Sequence, residues 1–172
     1  MVDFGIYKMK AEDIDGVLEI EKESFISPWS RWTFENELSK NNRSHFLVAK
    51  SAGKILGYIG FWLIFDEAHI VNIAVSSKLR RSGLGTLLLA SALVVADRLS
   101  AKKATLEVRV TNTPAQKLYE KFGFEIISIR KKFYTDTGED AYIMWIYNLE
   151  EKIGEIRAFG QKAQMRILDL EE

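Results

Sequence analysis

The sequence predicts a mixed α/β domain: a sheet of about seven strands with helices on its faces. Three observations predict it. Strand-like and helix-like runs follow one another as strand, two helices, three strands, helix, strand, helix, two strands. One helical run, Leu84 to Leu99, is apolar at three- and four-residue spacing and sits between two apolar strand-like runs. A strand–helix–strand unit of that kind, here Ile70 to Val110, closes as a right-handed crossover with its two strands parallel.

The elements follow in order. Phe4 to Met9 reads as a short strand. Ile14, Val17, Leu18, Glu21 and Phe25 recur at helical spacing, the apolar members on one face. Ser27-Pro28-Trp29-Ser30 ends that helix, and Ser30 suits the N-cap of a second one running through Leu38. Phe46 to Lys50 and Ile55 to Phe65 are strands joined by the turn Ser51-Ala52-Gly53-Lys54. Asp66-Glu67 then turns into His69 to Val75, completing an antiparallel meander. After the central helix, Ala104 to Val110 alternates as a strand. Thr111-Asn112-Thr113-Pro114 opens a helix with proline in the first turn, where its missing N–H costs no hydrogen bond. That helix carries Ala115, Leu118, Tyr119 and Phe122 and stops at Gly123. Phe124 to Phe133 and Tyr142 to Leu149 form the last strand pair, joined by Tyr134-Thr135-Asp136-Thr137-Gly138. Ile153, Ile156, Phe159, Met165, Ile167 and Leu168 then predict an amphipathic helix interrupted near Gly160. The chain thus divides into a domain, residues 1–149, and a helical extension, residues 150–172. The extension packs on the domain's own surface, covers a cleft or mediates self-association; the first is the default.

A length of 172 residues suits one domain with a sizeable core, and 47% apolar with 28% charged residues is an ordinary globular balance. Lys plus Arg equals Asp plus Glu, 24 each, so no general attraction to nucleic acid or an anionic membrane is expected. Arg80, Arg81, Lys131 and Lys132 are the candidates for a local basic patch. The chain has no cysteine, which excludes disulfides, thiolate metal sites and a protein thiol nucleophile. No signal peptide is visible, and no apolar run approaches the ~20 residues that span a bilayer. The expected setting is the cytoplasm, without membrane or direct nucleic-acid contact. His45 and His69 lack matching carboxylates in sequence and read as structural; no metal is expected.

The segment with the most chemistry is Arg80-Arg81-Ser82-Gly83-Leu84-Gly85-Thr86, between a strand and the central helix. Amides of a first helical turn have no intrahelical acceptor, and the helix dipole favours anions there. Gly83 and Gly85 allow close approach of a ligand, and the arginines add donors. Gly-x-x-x-x-Gly-Lys-Ser/Thr is absent, and the third position of Gly-x-Gly-x-x-Gly falls on Leu88. What remains, Arg-x-x-Gly-x-Gly, reads either as a pyrophosphate cradle or as a tight strand-to-helix connection.

Its neighbours supply a resemblance. Arg-x-x-Gly-x-Gly at a helix start, then Leu106-Glu107-Val108-Arg109, then Asn112, then Leu118-Tyr119-Glu120-Lys121-Phe122-Gly123-Phe124 resembles the GNAT acetyltransferase superfamily. Phe25, Pro28-Trp29-Ser30, Glu67-Ala68, Asn72-Ile73-Ala74-Val75, Asp140-Ala141 and Ile143-Met144 narrow it to the ribosomal-protein-alanine N-acetyltransferase type, over about residues 3–149. The resemblance implies a mostly antiparallel sheet whose central parallel pair splays apart. It implies acetyl-CoA as cosubstrate, its pyrophosphate on the amides of Arg81 to Thr86 beside Arg80. The pantetheine arm would lie along Ile73-Ala74-Val75 as a pseudo-strand, with a backbone N–H near Val75 polarising the acetyl carbonyl. Asn112 matches a cofactor-contacting position.

Acetyl transfer to an amine needs a proton acceptor for the amine and a donor for the leaving thiolate. The resemblance gives Glu107 as general base, directly or through water, and Tyr119 as general acid. Read alone, Glu107 also fits a solvent-facing strand residue paired with Arg109 or a lysine, and Tyr119 a tyrosine at the core edge. Trp29 either lines a pocket for a peptide N-terminus or caps the first helix pair. Phe133 and Tyr134 either grip a peptide or form a hairpin-tip pair. Glu67 is a candidate for assisting on the substrate side. The expected function is acetylation of a protein N-terminus, with the alanine of a small-subunit ribosomal protein as favoured acceptor. A small-molecule amine N-acetyltransferase and a non-catalytic acyl-CoA-binding regulator are the alternatives.

Overall fold

The computed structural model describes residues 4–169, and side chains through Met165. Seven strands form one sheet: β1 Gly5–Lys8, β2 Ser44–Ser51, β3 Lys54–Ile64, β4 Glu67–Val75, β5 Lys103–Arg109, β6 Glu125–Tyr134 and β7 Glu139–Ile146. Their order is β1-β2-β3-β4-β5-β7-β6. Every neighbouring pair is antiparallel except β4 with β5. The helices are α1 Ile14–Ser24, α2 Arg31–Ser39, α3 Leu84–Arg98, α4 Thr113–Lys121 and α5 Leu149–Asp169.

The strand period of two builds two cores, one on each face of the sheet. Phe46, Val48, Tyr58 and Ala74 face one way and pack with Val17, Ile20 and Phe34 from α1 and α2. Leu47, Ala49, Ile59 and Phe61 face the other way and pack with α3, whose Leu84, Leu88, Leu89 and Leu93 are all but fully buried. Ser30 caps α2 as its sequence suggests: its hydroxyl accepts from Thr33 N at 3.2 Å.

The parallel pair is short. Glu67 to Ile70 pair with Lys103 to Leu106, and the ladder ends there. Val71 to Val75 of β4 and Glu107 to Arg109 of β5 continue past it without pairing to each other. The edge of β4 that faces β5 is therefore open over five residues, while its other edge stays paired to β3 as far as Gly57 with Val75. This splay is the opening in which the site is built.

Two expectations change at the C-terminal end. Leu149 belongs to a helix rather than to the last strand, which ends at Ile146. Its N–H bonds Lys102 O at 2.9 Å and its side chain is fully buried. The helix after it is not interrupted at Gly160 but runs unbroken to Asp169. Gly160 sits at the crossing of α5 and α3, where an added Cβ would stand 3.0 Å from Ala90 Cβ. It is a packing glycine: missing volume, not helix breaking, is what the position uses. Leu149, Ile156 and Ala163 join the larger core, and Phe159 packs edge-on to Phe122 at 5.3 Å. Ile167 and Leu168 lie outside the described side chains.

Candidate active site

The splay between β4 and β5 opens into a cavity of about 730 Å³. Glu107 and Tyr119 both line it, with Ile73, Asn112, Trp29, Phe133 and Tyr134. Ala74, Val75 and the segment Arg80 to Thr86 lie outside its lining, further along β4 and at the start of α3.

Glu107 is held on β5 just past the last paired residue, Leu106. Its carboxylate is mostly covered, with 16% of the side chain exposed. His69 Nε2, on β4, lies 2.6 Å from Oε2, and Arg130 of β6 lies 3.5 Å from Oε1. Burial pushes this carboxyl up, but the His69 hydrogen bond, the His69 charge and Arg130 outweigh it, so its pKa falls below the ordinary glutamate value. Glu107 is thus ionised at neutral pH. Its expected alternative partners, Arg109 or a lysine, are not the ones it has. His69, read from the sequence as structural, is the direct neighbour of the candidate base.

Tyr119 is on α4, 5% exposed, with its ring 5.9 Å from Phe124. Burial, then the neighbouring Tyr134, raises its hydroxyl pKa well above the ordinary tyrosine value, so it keeps its proton. Asn112 caps α4, accepting from Ala115 N at 3.3 Å, and lines the cavity from that position.

Arg109, one turn of the strand beyond Glu107, organises the hairpin between β6 and β7. It donates to Asp136 at 2.6 Å, to Thr137 at 2.9 Å and to Glu139 at 3.4 Å. Its guanidinium also lies 4.0 Å from the centre of the Tyr134 ring, which stands edge-on to Phe133. Arg109 holds Asp136 below the ordinary carboxylate range. Burial pushes the Tyr134 hydroxyl up to about 12, against the opposing Arg109 charge. Asp136 in turn accepts from Ser27 Oγ at 3.3 Å, tying the hairpin to the loop between α1 and α2 across the cavity mouth.

The far wall comes from that loop. Trp29 packs on Phe34 and Phe46, at 5.4 and 6.1 Å between ring centres, and also lines the cavity. Its N–H donates to Glu21 at 2.6 Å. Glu21 is fully buried on α1 and also accepts from Asn72 at 3.0 Å and from the Tyr58 hydroxyl. Burial raises its pKa to about 7 despite the donors from Trp29 and Asn72.

The glycine segment forms a tight turn. Arg81 (φ 66°) and Gly83 (φ 101°) are both left-handed, and Gly83 is the N-cap of α3. The amides of Ser82 and Leu84 are taken by Leu79 O and Ser82 Oγ at 3.3 Å each. The helical ladder starts with Leu87 N on Gly83 O, leaving Gly85 and Thr86 N–H without backbone acceptors. Arg80 turns away from this segment and donates to Glu23 O at 3.4 Å. Glu67, a further candidate, and His45, read as structural, also lie elsewhere. Glu67 pairs with Lys103 at 2.8 Å at the closed end of the β4–β5 ladder. His45 stacks on Phe61 at 5.0 Å, and burial lowers its pKa. Among the described residues no group of three or more His, Cys, Asp or Glu could hold a metal ion.

Sequence reasoning did not find Glu21, Asn72, Arg109 and Arg130 as site residues. Glu21 had a signal, since it falls on the apolar stripe of its helix. The others depend on strand pairing, which no single segment encodes.

Comparison with known proteins agrees with this geometry. The acetyltransferase (GNAT) family profile matches residues 14–124. A Bacillus subtilis (strain 168) protein, provisionally named a ribosomal protein bS18-alanine N-acetyltransferase, is 47% identical over 141 residues, 82% of this chain and 93% of that protein. An N-alpha-acetyltransferase of Sulfurisphaera tokodaii is 34% identical over 155 residues, 83% of this chain and 92% of its own. The crystal structure of the ribosomal-protein-S18-alanine N-acetyltransferase from Escherichia coli superposes with a TM-score of 0.77 and 31% identity, covering 84% of this chain and 94% of that one.

Proposed function

The chain belongs to the GNAT acetyltransferase family and is an N-acetyltransferase, and from that premise we propose that it transfers the acetyl group of acetyl-CoA to the N-terminal amine of a protein, the alanine of ribosomal protein bS18 being its acceptor. The observation that carries this reading is the cavity at the splay. It brings an ionised, mostly covered carboxylate and a buried, protonated tyrosine to one space, with Trp29, Phe133 and Tyr134 around it.

The roles follow from the chemistry. An N-terminal amine has a pKa of ~8, so a large part is protonated at neutral pH and must lose its proton before attack. Glu107 accepts that proton, directly or through a water, at the oxygen that His69 does not occupy. The amine nitrogen bonds the thioester carbon, the carbon–sulfur bond breaks, Tyr119 gives the departing sulfur its proton, and the nitrogen releases its second proton to solvent, from which Tyr119 is reprotonated. The open edge of Ile73, Ala74 and Val75 supports binding of the amide-bearing pantetheine arm, since unpaired strand groups need partners. The N–H groups of Gly85 and Thr86 suit the pyrophosphate at the turn Arg81 to Leu84, and Arg80 would leave Glu23 O to join them. Asn112, at the mouth of α4, faces the same ligand.

Among the described residues no helix is long and apolar enough to cross a membrane. A ribosomal acceptor places the enzyme's work in the cytoplasm. The test is a panel of N-terminal peptides, with and without the bS18 sequence, against free polyamines and amine metabolites. Transfer to the bS18 peptide is the expected result; transfer to small amines alone would remove the proposal.

A further inference from the structure

Glu21 is a buried titratable group that acetyl transfer does not itself use. A carboxylate with no exposed surface is costly to bury, and proteins keep one only where donors surround it. Here the donors come from three different elements. Trp29 N belongs to the loop between α1 and α2, the Tyr58 hydroxyl to β3, and Asn72 Nδ2 to β4. Trp29 and Asn72 both line the cavity, on two of its walls, and Glu21 lines it between them. No other side chain joins these two walls through hydrogen bonds among the described residues.

We propose that Glu21 is a positioning residue of the acceptor site, tying the Trp29 loop and the Asn72 segment of β4 to the buried Tyr58 and so setting the gap into which the acceptor N-terminus fits. The proposal rests on the reading of the cavity as a peptide acceptor site. The carboxylate has two oxygens for three donors: Oε1 serves Tyr58 and Asn72, and Oε2 serves Trp29. A neutral amide of the same size presents one acceptor atom and one donor. It cannot satisfy both oxygens' partners, so one wall is released. Protonation of the acid loosens the same grip, because a neutral carboxyl is a weaker acceptor than a carboxylate for the Trp29 and Asn72 donors and its proton turns the Tyr58 hydroxyl from donor to acceptor.

The titratable groups facing Glu21 are few. Tyr58 comes from β3; across the cavity stand Glu107 and Arg109 from β5, Tyr119 from α4, and Tyr134, Asp136 and Glu139 from the hairpin. On α1 itself Lys22 and Glu23 are exposed and point outward.

The experiment measures steady-state acetylation of a bS18 N-terminal peptide by the full chain and by Glu21→Gln, from about pH 6 to about pH 9. In Glu21→Gln the peptide KM rises about tenfold, with more of the loss in KM than in kcat, while the KM for acetyl-CoA moves less than about twofold. In the parent chain the peptide KM worsens as pH falls through the Glu21 transition, and in Glu21→Gln this limb is gone. If Glu21→Gln does not fold, Tyr58→Phe, which removes one donor and leaves the acid, is judged by the same peptide KM. An unchanged peptide KM and pH limb in the variant overturns the assignment of Glu21 alone. Failure of the parent chain to acetylate any peptide overturns the acceptor-site reading and this proposal with it.

Discussion

His69 Nε2 lies 2.6 Å from Glu107 Oε2, across the last rung before the two parallel strands part. His69 is opposite Thr105, so Glu107 lies two residues further on and faces the same side. The ladder thus delivers the contact, and the second carboxylate oxygen, Oε1, faces Arg130 at 3.5 Å.

Removing the imidazole takes away the strongest influence that lowers the Glu107 pKa and leaves burial to raise it. In His69→Ala the acid limb of the kcat/KM profile shifts to higher pH. A pH series on a peptide acceptor reads this directly, and an unmoved limb would exclude the pair from the reaction. Glu107→Gln lowers kcat about 100-fold or more while calorimetry finds CoA affinity kept within about threefold.

Tyr119→Phe keeps the buried ring and its contact with Phe124 and removes only the proton donor. Release of CoA thiol, followed with a thiol reagent, slows by about 10- to 100-fold. Equal rates in parent and variant would assign the tyrosine to packing.

Arg109→Ala leaves Asp136 and Glu139 without their cation in a partly covered setting, where Arg109 itself is 22% exposed. Stability drops, and amide exchange quickens over residues 133–139. Arg109→Lys recovers little, because one ammonium cannot serve Asp136, Thr137 and Glu139 with a fork of donors. Full recovery by lysine would show that charge alone matters here.

Glu21 also marks the stability curve. Its folded pKa of about 7 lies above its unfolded value of 4.5. The folded state therefore holds the proton more tightly, and the stability this confers is complete below the unfolded value and is lost as pH rises through 7. The size is on the order of 3 kcal/mol. Glu21→Gln lacks this loss, so the difference in stability between the two proteins changes between pH 4.5 and 7. Parallel denaturation curves across that window would contradict a buried acid.

Gly160→Leu drives a side chain into Ala90 at the crossing of α5 with α3. Chemical denaturation then shows a loss of about 1–3 kcal/mol. A variant as stable as the parent would mean that α5 can slide.

Much of this was readable from local pattern. The succession of strands and helices along the chain, the capped start of α2 at Ser30 and the Pro114 start of α4 follow from periodicity and termini, which a segment carries within itself. Glu107 and Tyr119 stood out through the run of residues around them. The His69–Glu107 contact was not readable, because 38 residues separate the two and only the register of a parallel pair unites them. Glu67 was misplaced for the mirror-image reason: it sits at the paired end of that ladder, bound to Lys103, and not at the end that opens. Gly160 looked like a helix break because a sequence does not say whether a missing side chain serves the backbone or a neighbour.

The last helix returns along α3 until Ala163 touches the glycine turn: a Cβ built on Gly83 would meet the Ala163 Cβ at 3.6 Å. Leu149, Ile156 and Ala163 fill the interior on the way. Ending the chain at residue 149 would unroof its own hydrophobic centre and bare the rear of the glycine turn, leaving a different, weaker molecule.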